Sequence, residues 1–213
     1  MNEQFRRRRL PHWDVPGATY FVTACLADSI PARGLLELAE YRQSLERRPR
    51  PDGMTENDWR HHCSKLIFGR VDQWLDEQPA VRYLEQPELA TIVCNSLRHF
   101  AGTRYELLVF VVMPSHFHWV FRPLESWVES LGTDADRRTP RERIMQSIKR
   151  FTANECNQRL GRQGQFWQDE SYDHWVRDDD ELERIIDYVE LNPVKANLAS
   201  DRKQYKFSSA CVG

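Results

Sequence analysis

Two histidines one residue apart, His116 and His118, stand in the run Met113-Pro114-Ser115-His116-Phe117-His118-Trp119-Val120-Phe121. Side chains alternate along a β-strand, so both imidazoles face one side while Phe117, Trp119 and Phe121 face the other. Such a pair can offer two neutral nitrogen ligands to a metal ion. It can equally be a polar strand face turned to solvent, and the spacing alone does not choose. Tyr188 is the second candidate, in Ile185-Ile186-Asp187-Tyr188-Val189-Glu190-Leu191-Asn192-Pro193-Val194-Lys195. At about 100° per residue it falls on the flank of an apolar helical stripe. Asn192, four residues on, shares that flank if the helix continues. A phenol there could attack a phosphodiester once a metal and nearby donors stabilise the phenolate, and Asn192 could add an oxygen ligand. A core-edge tyrosine with its hydroxyl in water, and an Asn-Pro pair capping a new helical turn, account for the same residues.

The elements that must position these groups follow from pattern. Ala18 to Leu26 is rich in β-branched and aromatic residues and predicts a first strand. Pro87 to Phe100 predicts an amphipathic helix through Leu89, Ile92, Val93, Leu97 and Phe100. Tyr105 to Met113 predicts a buried strand, interrupted at Pro114 and continued by the histidine strand, Ser115 to Arg122. Thr139-Pro140-Arg141-Glu142 is a capping box with proline at the first helical position. The helix it opens should reach about Leu160, with Ile144, Ile148 and Phe151 on one face. Gln165 to Val176 predicts another strand, and Asp178 to Leu191 a last helix with acidic residues at its positive end. Pro31 to His62 is highly charged, and Arg47 to Gly53 marks a loop or a boundary between short helices. The order strand, helix, strand, strand, helix, strand, helix predicts an α+β, ferredoxin-like split βαβ with an antiparallel sheet and helices on one face. The aromatic side of the histidine strand would pack under those helices, and the histidines would face the open side.

Bulk properties bound the function. The chain has 213 residues, 40% hydrophobic and 29% charged, which fits one soluble domain with a sizeable core. Net charge is −2, so no global basic excess announces nucleic acid. Five scattered cysteines with no C-x-x-C pair argue against a zinc ribbon and a disulfide framework. No apolar run approaches the ~20 residues of a bilayer span. The basic N-terminus lacks a signal peptide's apolar segment, so the cytoplasm is the expected compartment.

Together these motifs resemble the single-tyrosine HUH transposases of the IS200-like family, and more closely the REP-associated tyrosine transposases. The likeness runs from about Ala18 to Leu198. It is carried by Val112-Met113-Pro114-Ser115-His116-Phe117-His118, by Phe166-Trp167-Gln168 with Asp173 and Val176-Arg177, and by Asp187-Tyr188 with Asn192-Pro193-Val194-Lys195. The resemblance implies a ferredoxin-like core, His116 and His118 as metal ligands, Tyr188 as nucleophile and Asn192 as a third protein ligand. It implies Mg²⁺ or Mn²⁺ as cofactor and single-stranded or hairpin (REP-like) DNA as partner, with no membrane role. The chemistry implied is strand cleavage and rejoining through a 5′-phosphotyrosine. The chain departs from the family where Ser115 replaces a common asparagine, in its acidic balance, and in a poorly matched segment at about 27–81. That segment reads as an insertion within a single 1–213 domain.

Arg6, Arg7, Arg8 and Arg9, with Lys149 and Arg150, are candidate phosphate contacts; a solvated tail and a solvated helix face explain them too. His12-Trp13 and Trp175 could stack on bases. His61, His62, His99 and His174 carry no assigned role. Two other readings stand beside the transposase: a hairpin-DNA-binding protein with weak catalysis, and a metal-dependent hydrolase using the histidines with water as nucleophile.

Overall fold

The computed structural model describes residues 4–7, 11–132, 138–169 and 171–211, with the backbone alone for 4–7 and 11–14. In chain order the elements are β1 (Gln4–Arg7), β2 (Pro11–Asp14), β3 (Tyr20–Cys25), α1 (Ala32–Glu46), α2 (Glu56–Glu77), α3 (Pro87–His99), β4 (Tyr105–Val112), β5 (His116–Pro123), α4 (Glu125–Ser130), α5 (Pro140–Arg159), β6 (Tyr172–Trp175) and α6 (Asp179–Lys195). β1 and β2 pair as a separate hairpin. The main sheet runs β4-β5-β3-β6, with every neighbouring pair antiparallel. That strand order with α3 and α5 as the crossings is the expected ferredoxin-like arrangement. None of the helices among the described residues is long and apolar enough to cross a membrane.

The period-two pattern of β5 divides the molecule. Phe117, Trp119 and Phe121 are fully buried in the larger core with Leu89, Val93 and Leu97 of α3 and Ile144, Met145 and Ile148 of α5. Trp119 stacks on Phe121 at 3.9 Å and meets Tyr105 edge-on at 4.9 Å, geometries that suit the ring quadrupoles. The α5 capping box forms as expected, Thr139 and Glu142 each bonding the other's backbone. Phe151, however, is 53% exposed, and Thr152 takes its place on the buried face. At about 100° per residue the buried positions Arg141, Ile144, Met145, Ile148, Thr152 and Cys156 centre well to one side of Ile144, so Thr152 falls near the middle of that face and Phe151 beyond its edge.

Three expectations change. The strand predicted over Gln165 to Val176 shortens to β6; Phe166 and Trp167 instead bury themselves at 2% and 4% exposure, Trp167 bridging to Leu26. The last helix does not stop at Leu191. It passes through Pro193 to Lys195 and ends at Asn197, which takes the left-handed backbone (φ 55°) of a helix terminator. The histidine side of the sheet is not open. α6 lies over it, burying Val189 against Phe21, Val111 and Val120 with Tyr188 beside them, and α2 covers its end with Phe68 and Asp72.

The segment 27–81 forms two helices of 15 and 22 residues, longer than its charge suggests. Thr55 caps α2 by accepting from Asp58 N–H. The two helices meet where Gly34 lies under the Trp74 ring; a Cβ there would come within 2.8 Å of it.

A buried ion pair ties α5 to the edge strand. Arg141 and Asp173 are 3.3 Å apart with side chains 5% and 1% exposed. Breaking a buried pair is strongly destabilising, so Arg141→Ala should cost about 3–5 kcal/mol in urea unfolding. A loss below about 1 kcal/mol would mean that this pair does not hold β6.

Candidate active site

Sheet register builds the site. Thr23 of β3 lies directly across from His118 of β5, and Cys25 across from His116. The Thr23 hydroxyl therefore meets His118 Nδ1 at 2.8 Å, a cross-strand pair on the histidine face. His116 Nδ1 lies 3.0 Å from the hydroxyl of Ser115, which donates to the Leu75 carbonyl at 3.1 Å. With its proton committed, Ser115 accepts His116 Nδ1–H. This fixes the tautomer that leaves Nε2 as a lone-pair nitrogen.

Both imidazoles are completely buried, and their Nε2 atoms approach to 3.0 Å. Two nitrogens each about 2.1 Å from one ion and at right angles to it would be about 3.0 Å apart. Burial, joined by the neighbouring His118 and opposed by Asp72, pulls His116 down to about 3. The ring is neutral at physiological pH, the state a metal needs.

The helices supply oxygens. Asp72 of α2 sits with Oδ1 3.3 Å from His118 Nε2, and its other oxygen accepts the hydroxyl of Tyr188. His116, His118 and Asp72 place one ligand atom each within 4.8 Å of one another. Asp76, one turn on, has Oδ1 3.8 Å from His116 Nε2. Tyr188 Oη is 3.5 Å from His118 Nε2. Asn192 is fully buried, with Nδ2 3.3 Å from His118 Nε2 and 3.4 Å from Tyr188 Oη. Asn192 is thus inside the helix and inside the site, not a cap. Its Oδ1, with Asp72 Oδ1 and Asp76 Oδ1, is buried without a hydrogen-bond partner. The imidazole nitrogens and these unpaired oxygens form an acceptor-rich pocket, and His116, His118 and Asp72 within it are a donor set suited to a cation.

Electrostatics agree. Burial opposes ionisation of Asp72, but His118, His116 and the Tyr188 hydroxyl outweigh it and hold the carboxyl below its usual range. Burial and then the Asp72 charge raise Asp76 to about 7. Burial, Asp72 and Asp76 push the Tyr188 phenol well above its ordinary value, against a smaller pull from Asn192. With no cation present, Tyr188 keeps its proton.

The structure therefore brings together His116, His118, Tyr188 and Asn192. Asp72 and Asp76 escaped the sequence reading, although their four-residue spacing and shared face with Phe68 on α2 are a signal. Lys149 and Arg150 are not part of this cluster. They lie on α5, against the aromatic face, and line a cavity of about 540 Å³ with Arg138, Phe166 and Trp167. The Lys149 ammonium bonds the carbonyls of Gln168 and, at 3.1 Å, Asp169, while Arg150 is exposed. Trp175 is half-buried against the larger core. Arg8 and Arg9, and the side chains of Arg6, Arg7, His12 and Trp13, lie outside the described residues.

A ferredoxin-like sheet carrying a buried His-x-His, roofed by a helix-borne tyrosine, defines the class of site. Comparison with known proteins finds similar chains. No family model matches the chain. A Haemophilus influenzae protein named "Putative REP-associated tyrosine transposase" is 26% identical over 111 residues, which are 49% of this chain and 58% of that protein. The chain thus matches little more than half the length of that relative. The solved structure of a REP-associated tyrosine transposase bound to a REP hairpin aligns with 97% of this chain and 81% of its own, at a TM-score of 0.51 and 17% identity. At that identity the likeness is one of fold.

If Thr23 orients His118 for a metal, Thr23→Val should keep the fold, because it conserves shape, and weaken Mn²⁺ binding in calorimetry by about 10–100-fold. Unchanged affinity would remove Thr23 from the support of the site.

Proposed function

We propose that this chain is a metal-dependent single-stranded DNA transposase/endonuclease that cleaves and rejoins strands through a 5′-phosphotyrosine, at palindromic hairpins of the REP type. One observation carries this reading: the Tyr188 hydroxyl is hydrogen-bonded to Asp72 and lies 3.5 Å from His118 Nε2. A nucleophile, its proton acceptor and two oriented imidazoles occupy one buried pocket. The hairpin bound in the structure of similar fold supports the choice of DNA.

His116 Nε2, His118 Nε2 and Asp72 Oδ1 would hold the ion, with Asn192 Oδ1 as a further oxygen; Mn²⁺ and Mg²⁺ suit a mixed nitrogen and oxygen set. Such an ion supplies positive charge that offsets the developing charge on the scissile phosphate and eases ionisation of the nearby phenol. Asp72 then takes the Tyr188 proton on the oxygen it already presents. The phenolate oxygen attacks phosphorus, the bond from phosphorus to the 3′ oxygen breaks, and that oxygen takes a proton from water. Tyr188 keeps the 5′-phosphate. Attack by another strand's 3′-hydroxyl reverses the step and frees the tyrosine, so no nucleotide cofactor is consumed. Arg6 to Arg9, Lys149 and Arg150 would add phosphate contacts and a salt-dependent affinity. Residues 27–81 belong to the working unit because α2 brings Asp72.

The test is a denaturing gel after incubation with a single-stranded hairpin oligonucleotide and Mn²⁺. A covalent protein–DNA band is expected from the wild type and none from Tyr188→Phe. Asp72→Asn should slow adduct formation by about 10²–10⁴-fold, the usual range for losing a general base. Cleavage with no adduct would replace this reading by the water-using hydrolase. Binding with neither would leave a hairpin-binding protein.

A further inference from the structure

A second cluster of ligating side chains stands on the same face of the sheet, away from Tyr188. His174 of β6 pairs across with Phe21, which shares the face of His118. Above it lie His61 of α2 and Glu181 in the first turn of α6. The His61 and His174 rings are 4.5 Å apart. His174 and Glu181 are 7% and 6% exposed. Nε2 of His61 and Nε2 of His174 are both buried without a hydrogen bond, although Glu181 Oε1 is 3.1 Å from the latter. One ligand atom from each of the three residues falls within 4.8 Å of the others.

We propose that His61, His174 and Glu181 form a binding site for a divalent transition metal of the zinc class, bridging α2 to β6 and α6. Two imidazoles and a carboxylate are a common zinc donor set, with water in the fourth position. Tetrahedral bonds of about 2.0–2.1 Å separate donor atoms by about 3.4 Å, so small side-chain rotations complete the site. Burial, then the neighbouring His174, Arg177 and Lys65, draw His61 down to about 3 against the pull of Glu181. Burial also lowers His174, opposed by Glu181. Both rings are thus neutral at pH 7, and no proton must be displaced.

Two cations oppose the ion. Arg177 lies near, 3.8 Å from Asp58. Lys65 sits 2.5 Å from Glu181 Oε1, with its side chain 46% exposed. That ammonium holds the carboxylate in the metal-free protein and can swing into water when a metal takes its place. Glu181 Oε2 stays fixed by the Arg177 backbone N–H at 2.9 Å. Lys65 is therefore a built-in competitor.

Zinc titration by calorimetry tests this, with visible absorption of the Co²⁺ form as the readout of geometry. A His116→Ala/His118→Ala double variant, lacking the first cluster, should still bind one Zn²⁺ and gain thermal stability from it. Adding Glu181→Gln should weaken that binding at least tenfold. Adding Lys65→Ala should tighten it severalfold, which a merely structural lysine would not do. Should the double variant fail to fold, His61→Ala in the otherwise native chain must lower the bound ions by one. The proposal falls if the double variant binds no Zn²⁺, or if bound zinc is indifferent to both His61→Ala and Glu181→Gln. It stands or falls independently of any DNA chemistry.

Discussion

The carbonyl of Leu75 lacks its helical partner, because residue 79, whose N–H would reach it, is a proline. The Ser115 hydroxyl supplies the missing bond. Having given its proton to that carbonyl, it can only accept from His116, and the tautomer of a fully buried imidazole is settled by the end of a helix 40 residues earlier. The same contact docks the C-terminal turn of α2 on the start of β5. Asp72 and Asp76 reach the histidines from that turn. Helix position, ring orientation and the supply of carboxylates thus depend on one hydroxyl with two neighbours.

The roof follows from that anchor. α2 contributes Asp72 and α6 contributes Tyr188, and the two helices meet through the hydrogen bond between these side chains. Phe68 packs beside this joint, stacked on Tyr172 at 4.0 Å and edge-on to Phe21 at 5.5 Å. These rings exclude water from the polar cluster, which strengthens each electrostatic interaction there. They also make an unpaired acceptor expensive. The three buried carboxylate and amide oxygens without partners are a strain the fold carries for its site.

The elements with one-sided periodicity were legible in the sequence. α3, α5, β4 and β5 each bury one face or run, and their pattern could be read within a residue or two. So could the histidine pair and the flanking tyrosine, because strand and helix periods fix which side chains share a face. α2 was not legible, for a physical reason. Val71, Trp74 and Leu75 pack it against α1, while Phe68 and Asp72 turn to the sheet. A helix used on two faces shows no single stripe, and its sheet-facing side is largely polar because it serves polar clusters. Asn192-Pro193 misled in the opposite way. Locally the pair suits a cap, but Asn192 is drawn into the helix by its place beside His118, and the helix runs on through Pro193 although that residue has no N–H for the helical ladder.

Asp72 sets the condition on which the Tyr188 phenol can ionise. Burial and then its charge raise the Tyr188 phenol, and the same oxygen that accepts the phenol hydrogen bond is the one placed to receive the proton. While the negative charge of Asp72 stands uncompensated, transfer would put a phenolate beside Asp76 in a buried pocket, a costly arrangement. A cation held by His116, His118 and Asp72, as proposed above, would offset that field and ease the transfer. On the proposed function, such a pocket would keep the Tyr188 phenol protonated until a cation is bound.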